Sequence, residues 1–272
     1  MIAAHEGDAV WCPPDIDHWH GATPDAAMTH LVITGSRDGK NVIWKEKVTD
    51  TQYQAAASKV EKTMPESDVL AAEKQWIIPI AAFTASGDLR RLERAIEQGL
   101  EAGLTVNEIK EIQIHLYAYV GFPRALNGLA TFMTLMEARK AAGIEDEMGP
   151  AAPLEVAPTS VEAGKAAQTK IVGRPVTGPL SDFAPGVNTS LQRHLFGDLF
   201  GRDILDHESR ELATLGALSS VEGVAPQLKA HMTIAANVGL TQAQLQDVAN
   251  VLSAVVGTQE GQRAEQAFDA AF

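Results

Sequence analysis

At 272 residues and 45% hydrophobic side chains, the chain is long enough for one or two domains with a sizeable core. A formal net charge of −13 excludes a phosphate-binding surface built from massed Lys and Arg, so no nucleic-acid partner is expected. No apolar run reaches the length of a membrane span, and the N-terminus lacks a basic region followed by a hydrophobic one. The single cysteine, Cys12, cannot form an internal disulfide, so a cytoplasmic protein without a membrane partner is the expectation.

Residues 1–50 read as β. Val10-Trp11, Thr29 to Thr34 and Asn41 to Trp44 are short β-branched or aromatic runs separated by turn clusters such as Pro13-Pro14-Asp15 and Arg37-Asp38-Gly39-Lys40. From about residue 51 the texture becomes helical, with Leu89, Leu92, Ile96 and Leu100 forming one apolar stripe. Gly103 then ends a helix, and Thr105 caps the next with Glu108 as its capping-box partner. Residues 143–190 carry Pro150, Pro153, Pro158, Pro175, Pro179 and Pro185, which predicts a connector with turns and short helical pieces. The expected organisation is a β segment over 1–50, a helical unit over 51–142, the connector over 143–190 and a second helical unit over 191–272.

The two helical units look like one unit used twice. Gly103-Leu104-Thr105 recurs as Gly239-Leu240-Thr241, an offset of 136 residues, and at that offset Lys74 meets Arg210 and Val120-Gly121 meets Val256-Gly257. The polar chemistry is not shared. Glu211 and His231 stand where the first copy has Gln75 and Ala95, whereas Glu111, His115 and Tyr119 stand where the second has Asp247, Val251 and Val255. Copies that differ in this way suit one composite site.

The stretch from Gly7 through Pro13 to His18 resembles the second motif of cupins, in which Gly, five residues and Pro are followed five positions later by a His. The resemblance covers roughly residues 5–50 and implies a barrel strand that points His18 at a divalent metal, with His20 as a further candidate. Two departures bear on this. Asp15 replaces the motif's Gly, and the first motif, source of the other His and Glu ligands, is not in the sequence. His5, His20 or His30 would have to substitute. The plainer expectation is a β-layer that packs on the helices or mediates oligomerisation, with no cofactor required.

Arg210-Glu211-Leu212, a downstream His231 and Asn237-Val238-Gly239-Leu240-Thr241 in copy two join Tyr119-Val120-Gly121-Phe122-Pro123 in copy one. Together they resemble the carboxymuconolactone decarboxylase family, which has the alkylhydroperoxidase D-like helical fold. The expected fold class is therefore predominantly all-α, with two tandem alkylhydroperoxidase D-like units behind a short cupin-like β segment. The thiol branch of this fold needs a Cys-x-x-Cys pair ahead of the His. Here that stretch is Glu222-Gly223-Val224-Ala225-Pro226, so a dithiol peroxidase cycle is not expected.

The resemblance implies acid–base decarboxylation of a small carboxylated lactone. His231 would carry the proton and Glu211 orient it, Tyr119 would donate a hydrogen bond, and Arg124 would clamp the carboxylate, with His194 a further substrate contact. Glu111 and His115 share a helix face and complete the catalytic set. Each has a plainer alternative: a dipole-favouring Glu211 at a helix start, a core His231, a polar stripe at Glu111 and His115. Two other functions stay open. One is lactone or ester hydrolysis by a His-activated water, since no Gly-x-Ser-x-Gly motif is present; the other is a non-catalytic oligomeric binding protein. Helical units of this kind bury their apolar faces on one another, so a homo-oligomer is expected, a trimer or a hexamer-like ring.

Overall fold

A computed structural model describes residues 9–14, 16–22, 27–36, 39, 41–57, 64–151 and 159–272. The chain divides into two compact units, Met1–Thr63 and Met64–Phe272.

The first unit corrects the β expectation. Among its described residues there is no strand, and its only helix is α1 (Asp50–Ala57). Thr49 and Gln52 start that helix with reciprocal hydrogen bonds between each side chain and the other's backbone N–H. The apolar runs meant for strands lie open, Trp11 at 81% and Ile33 at 90% exposure. β-Branched residues favour a pleated surface only where a partner strand and a covered face exist. Neither is present.

The second unit is helical. No described helix is long and apolar enough to cross a membrane. Its first three helices are α2 (Ala72–Ser86), α3 (Leu89–Glu101) and α4 (Val106–Ala141). The interval expected as a connector holds α5 (Val161–Val172), α6 (Pro179–Phe183) and α7 (Pro185–Ser190), followed by a π-helical segment, Leu191–Leu199. Then come α8 (His207–Ser219), α9 (Ala225–Val238), α10 (Gln242–Val251), a π-helical turn at Leu252–Val256 and α11 (Thr258–Ala271).

Helices α2, α3 and the start of α4 stand at the 136-residue offset from α8, α9 and α10, within one residue at every N-terminus. Both capping boxes form: Thr105 with Glu108 at α4, Thr241 with Gln244 at α10. Helix α2 is apolar over most of its circumference, and α8 is buried along almost its whole length, polar Arg210, Glu211 and Thr214 included. The two helices pack so closely that a Cβ on Gly216 of α8 would sit 2.4 Å from the Ile78 carbonyl of α2. Helix α4 breaks at Gly121, whose φ of 78° and ψ of 159° belong to a region open essentially to glycine alone. Beyond the break it runs on to Ala141.

Two apolar clusters result. The larger joins α2, α3, α4, α8, α9 and α10 around Ile78, Leu92, Ile112 and Leu215. The smaller joins α5 and the π-helical segment to α9 through Ile171, Phe196, Phe200 and Ile234. The proline-rich interval therefore contributes core, not only turns. Tyr119 borders both clusters.

Candidate active site

Where the two clusters meet, the second unit buries a chain of polar groups. Glu111, His115 and Tyr119 follow one another at intervals of four along α4 and so share a face. Arg210, Glu211 and Thr214 face them from α8, and His231 comes from α9.

His231 Nδ1 donates to Glu211 Oε2 at 2.8 Å. The carboxylate is fully buried and His231 is 9% exposed. That bond fixes the tautomer and leaves Nε2 free to take or give a proton. The Tyr119 ring stands edge-on to the imidazole, centroids 5.5 Å apart. Its hydroxyl is buried without a hydrogen-bond partner, as is Glu211 Oε1. Burial, then the Glu211 carboxylate, push the Tyr119 phenol well above its usual range, with Thr214 and Arg210 pulling weakly the other way. Tyr119 is thus a donor that keeps its proton.

His115 has a different role. The Thr214 hydroxyl donates to the Arg210 carbonyl at 2.9 Å, so its oxygen accepts from His115 Nε2 at 2.9 Å. Nδ1 is left bare and unpartnered. Burial, then the Arg210 and His231 charges, hold this imidazole well below its ordinary value. The unfolded chain therefore binds a proton here that the native state refuses once the pH drops below about 6.5, and stability falls with pH from that point. The melting temperature is expected to decline between about pH 7 and pH 5, and to decline less steeply in His115→Gln. Equal slopes for both proteins would remove His115 from this account.

Glu111 does not face the imidazoles as a free base. Arg202 grips it through two bonds, Nε to Oε1 at 2.7 Å and Nη2 to Oε2 at 2.9 Å, and Arg210 Nη2 adds a third at 2.9 Å. Arg210 Nη2 also donates to the Arg202 carbonyl at 2.7 Å, while its Nε and Nη1 have no partner. Burial draws Arg210 below its ordinary value, opposed mainly by Glu111. Glu111 is therefore a clamp that positions Arg210. Sequence reasoning missed Arg210, Arg202 and Thr214. Arg210 was open to detection as the Arg of the Arg-Glu-Leu motif, whereas Arg202 lies between helices with no periodicity to mark it.

Two expected substrate contacts fall elsewhere. Arg124 is exposed beyond the Gly121 break, which redirects the helix before this residue. His194 is exposed on the π-helical segment, in contact through Nε2 with the Tyr117 hydroxyl and through Nδ1 with Asp198 at 3.0 Å. Tyr117 itself stacks on Phe122. At the positions offset by 136 from the buried cluster, Gln75, Ala95, Val251 and Val255 offer neither imidazole nor phenol. A hollow of about 280 Å³ on the outer side of α9, lined by Arg174, Pro226, Lys229 and Thr233 among others, does not include His231.

In the first unit, His18 and His20 are both exposed and lie with Cys12, whereas His5 is outside the described residues. Among the described residues, the donors beside His18 are thus a thiol and a second imidazole, not the His and Glu of a first cupin motif.

Residues 185–271 match the carboxymuconolactone decarboxylase family. The match takes in Arg202, Arg210, Glu211, Thr214 and His231, while Glu111, His115 and Tyr119 lie outside it. The chain is also similar to an (R)-mandelonitrile lyase from Granulicella tundricola, 58% identical over 50 residues, which is 18% of this chain. That alignment spans 38% of the lyase's own length.

Proposed function

We propose that the second unit is a carboxymuconolactone decarboxylase-like enzyme that acts on a small carboxylated lactone by acid–base chemistry of its own side chains, with no cofactor. The observation that carries this is the buried Glu211–His231 pair with a free Nε2 and the Tyr119 ring against it. The Arg210 hydrogens without a partner hold the substrate anion. Carbon dioxide departs, and the bonding pair moves into the lactone carbonyl, whose oxygen accepts from Tyr119. His231, as imidazolium balanced by Glu211, delivers its Nε2 proton to carbon and regains one from water. The whole cluster supports this over a non-catalytic binding protein, because buried polar atoms without partners are costly to keep for packing alone.

The free Nε2 also suits water activation, which makes lactone hydrolysis the second reading. Carboxyl-labelled lactone separates the two: decarboxylation releases labelled carbon dioxide, and hydrolysis retains the label in a ring-opened acid. Retained label would overturn the decarboxylase reading. The mandelonitrile lyase similarity makes (R)-mandelonitrile the control substrate, as another compound whose breakdown needs a proton moved at a C–C cleavage.

The proposal extends to a homo-oligomer. Past Gly121, α4 turns Phe122, Leu126 and Met133 outward, with Leu129 and Met136 half-buried on the same stripe. The five recur at alternating spacings of four and three, a seam that fits the same helix of a second copy. Light scattering should give a multiple of the 29.0 kDa chain mass, and Leu126→Glu with Met133→Glu should reduce it to the monomer. A monomeric wild-type chain would end this part of the proposal.

A further inference from the structure

The first unit brings together a ligand set that the cupin motif does not contain. One donor atom from each of Cys12, His18 and His20 lies within 4.8 Å of the other two, with Cys12 half-buried and both imidazoles exposed. His18 and His20 are two residues apart, so an extended chain turns both rings to one side. They stack with centroids 5.0 Å apart and planes 24° from parallel. His18 Nδ1 donates to the Ile16 carbonyl at 3.0 Å, which fixes its tautomer and leaves Nε2 as a bare donor to a metal. His20 Nδ1 is 3.0 Å from His30 Nε2, and the two rings meet edge to face at 4.9 Å. His30 therefore holds His20 as an outer partner holds a metal-bound imidazole.

We propose that Cys12, His18 and His20 bind a zinc-class divalent ion through one thiolate and two imidazoles, with His30 orienting His20 and a fourth position left to water or a small ligand. Sulfur with two imidazole nitrogens selects zinc or cobalt over magnesium, calcium or manganese, which prefer oxygen. Tetrahedral bonds of about 2.3 Å to sulfur and 2.0–2.1 Å to nitrogen put the donor atoms roughly 3.5 Å apart. Side chains this exposed reach that spacing by small rotations. Only His18 occupies a place where a cupin carries an imidazole. Cys12 and His20 make this a softer site than that resemblance implies.

Cobalt(II) titration of the whole chain tests the assignment without reference to any activity. One equivalent should produce a thiolate-to-cobalt charge-transfer band in the near ultraviolet together with the visible bands of tetrahedral cobalt, and zinc should displace both. Cys12→Ser should remove the charge-transfer band, and His18→Ala or His20→Ala the tetrahedral bands. His30→Ala should keep the spectrum and weaken the affinity about 10–100-fold. All these side chains except Cys12 are exposed, so truncating them removes no buried packing from the first unit. Absence of any band at one equivalent overturns the site. So does a spectrum indifferent to both His18→Ala and His20→Ala.

Discussion

Replacing His231 with alanine is expected to lower kcat/KM for decarboxylation by about 10²–10⁴-fold, the range a positioned general acid contributes. The readout is loss of ultraviolet absorbance from 4-carboxymuconolactone, wild type and His231→Ala side by side. The loss should fall on kcat, because the proposed mechanism has His231 move the proton and leaves the substrate anion to Arg210. Glu211→Gln should fall in the same direction, since an amide lacks the negative charge that the proposed mechanism needs beside His231. Tyr119→Phe, which removes one donor and leaves the ring on His231, should have the smaller effect. A His231→Ala protein as active as wild type would take His231 out of the chemistry. A wild-type protein inert toward this lactone would shift the proposal to hydrolysis of other lactones.

The second large effect is on stability. Glu111→Ala removes the one carboxylate that neutralises both Arg202 and the fully buried Arg210. An uncompensated buried charge costs about 3–5 kcal/mol, and the lower figure applies because Arg202 is partly exposed and can turn to water. For a domain of this size each kcal/mol moves Tm by roughly 2–4 °C, so a drop of about 6–12 °C is expected. Thermal denaturation followed by circular dichroism measures it. Glu108→Ala, which removes half of a capping box on the same helix, should cost only about 1 kcal/mol and serves as reference. If Glu111→Ala melts with wild type yet loses activity, Glu111 acts on substrate and the clamp assignment is wrong.

Much of this architecture could be read from the chain because its signals are local. Thr105 with Glu108 and Thr241 with Gln244 mark helix starts by chemistry confined to four residues, and the structure forms both boxes. Glu111 and His115 were legible as a shared face because helical periodicity alone puts them there, and the structure extends that face to Tyr119. What they face was not. Whether Glu111 meets a substrate or two arginines depends on Arg202, 91 residues away in a stretch without periodic pattern. Arg124 lies away from the buried cluster because one backbone torsion at Gly121 redirects the helix before it. The β expectation for residues 1–50 read side-chain preference as structure, when strands require partners that the described residues here do not have.

The helices repeated at the 136-residue offset carry one further consequence. Two identical subunits related by a two-fold axis must place the same residue at both equivalent positions. Covalent linkage releases that restriction, so Tyr119 need have no twin at Val255 and His231 none at Ala95. The gain is asymmetry within a near-symmetric frame, and its expected signature is stoichiometry: under the proposed function, a tight-binding lactone analogue should saturate at one molecule per polypeptide, where the paired helices would suggest two.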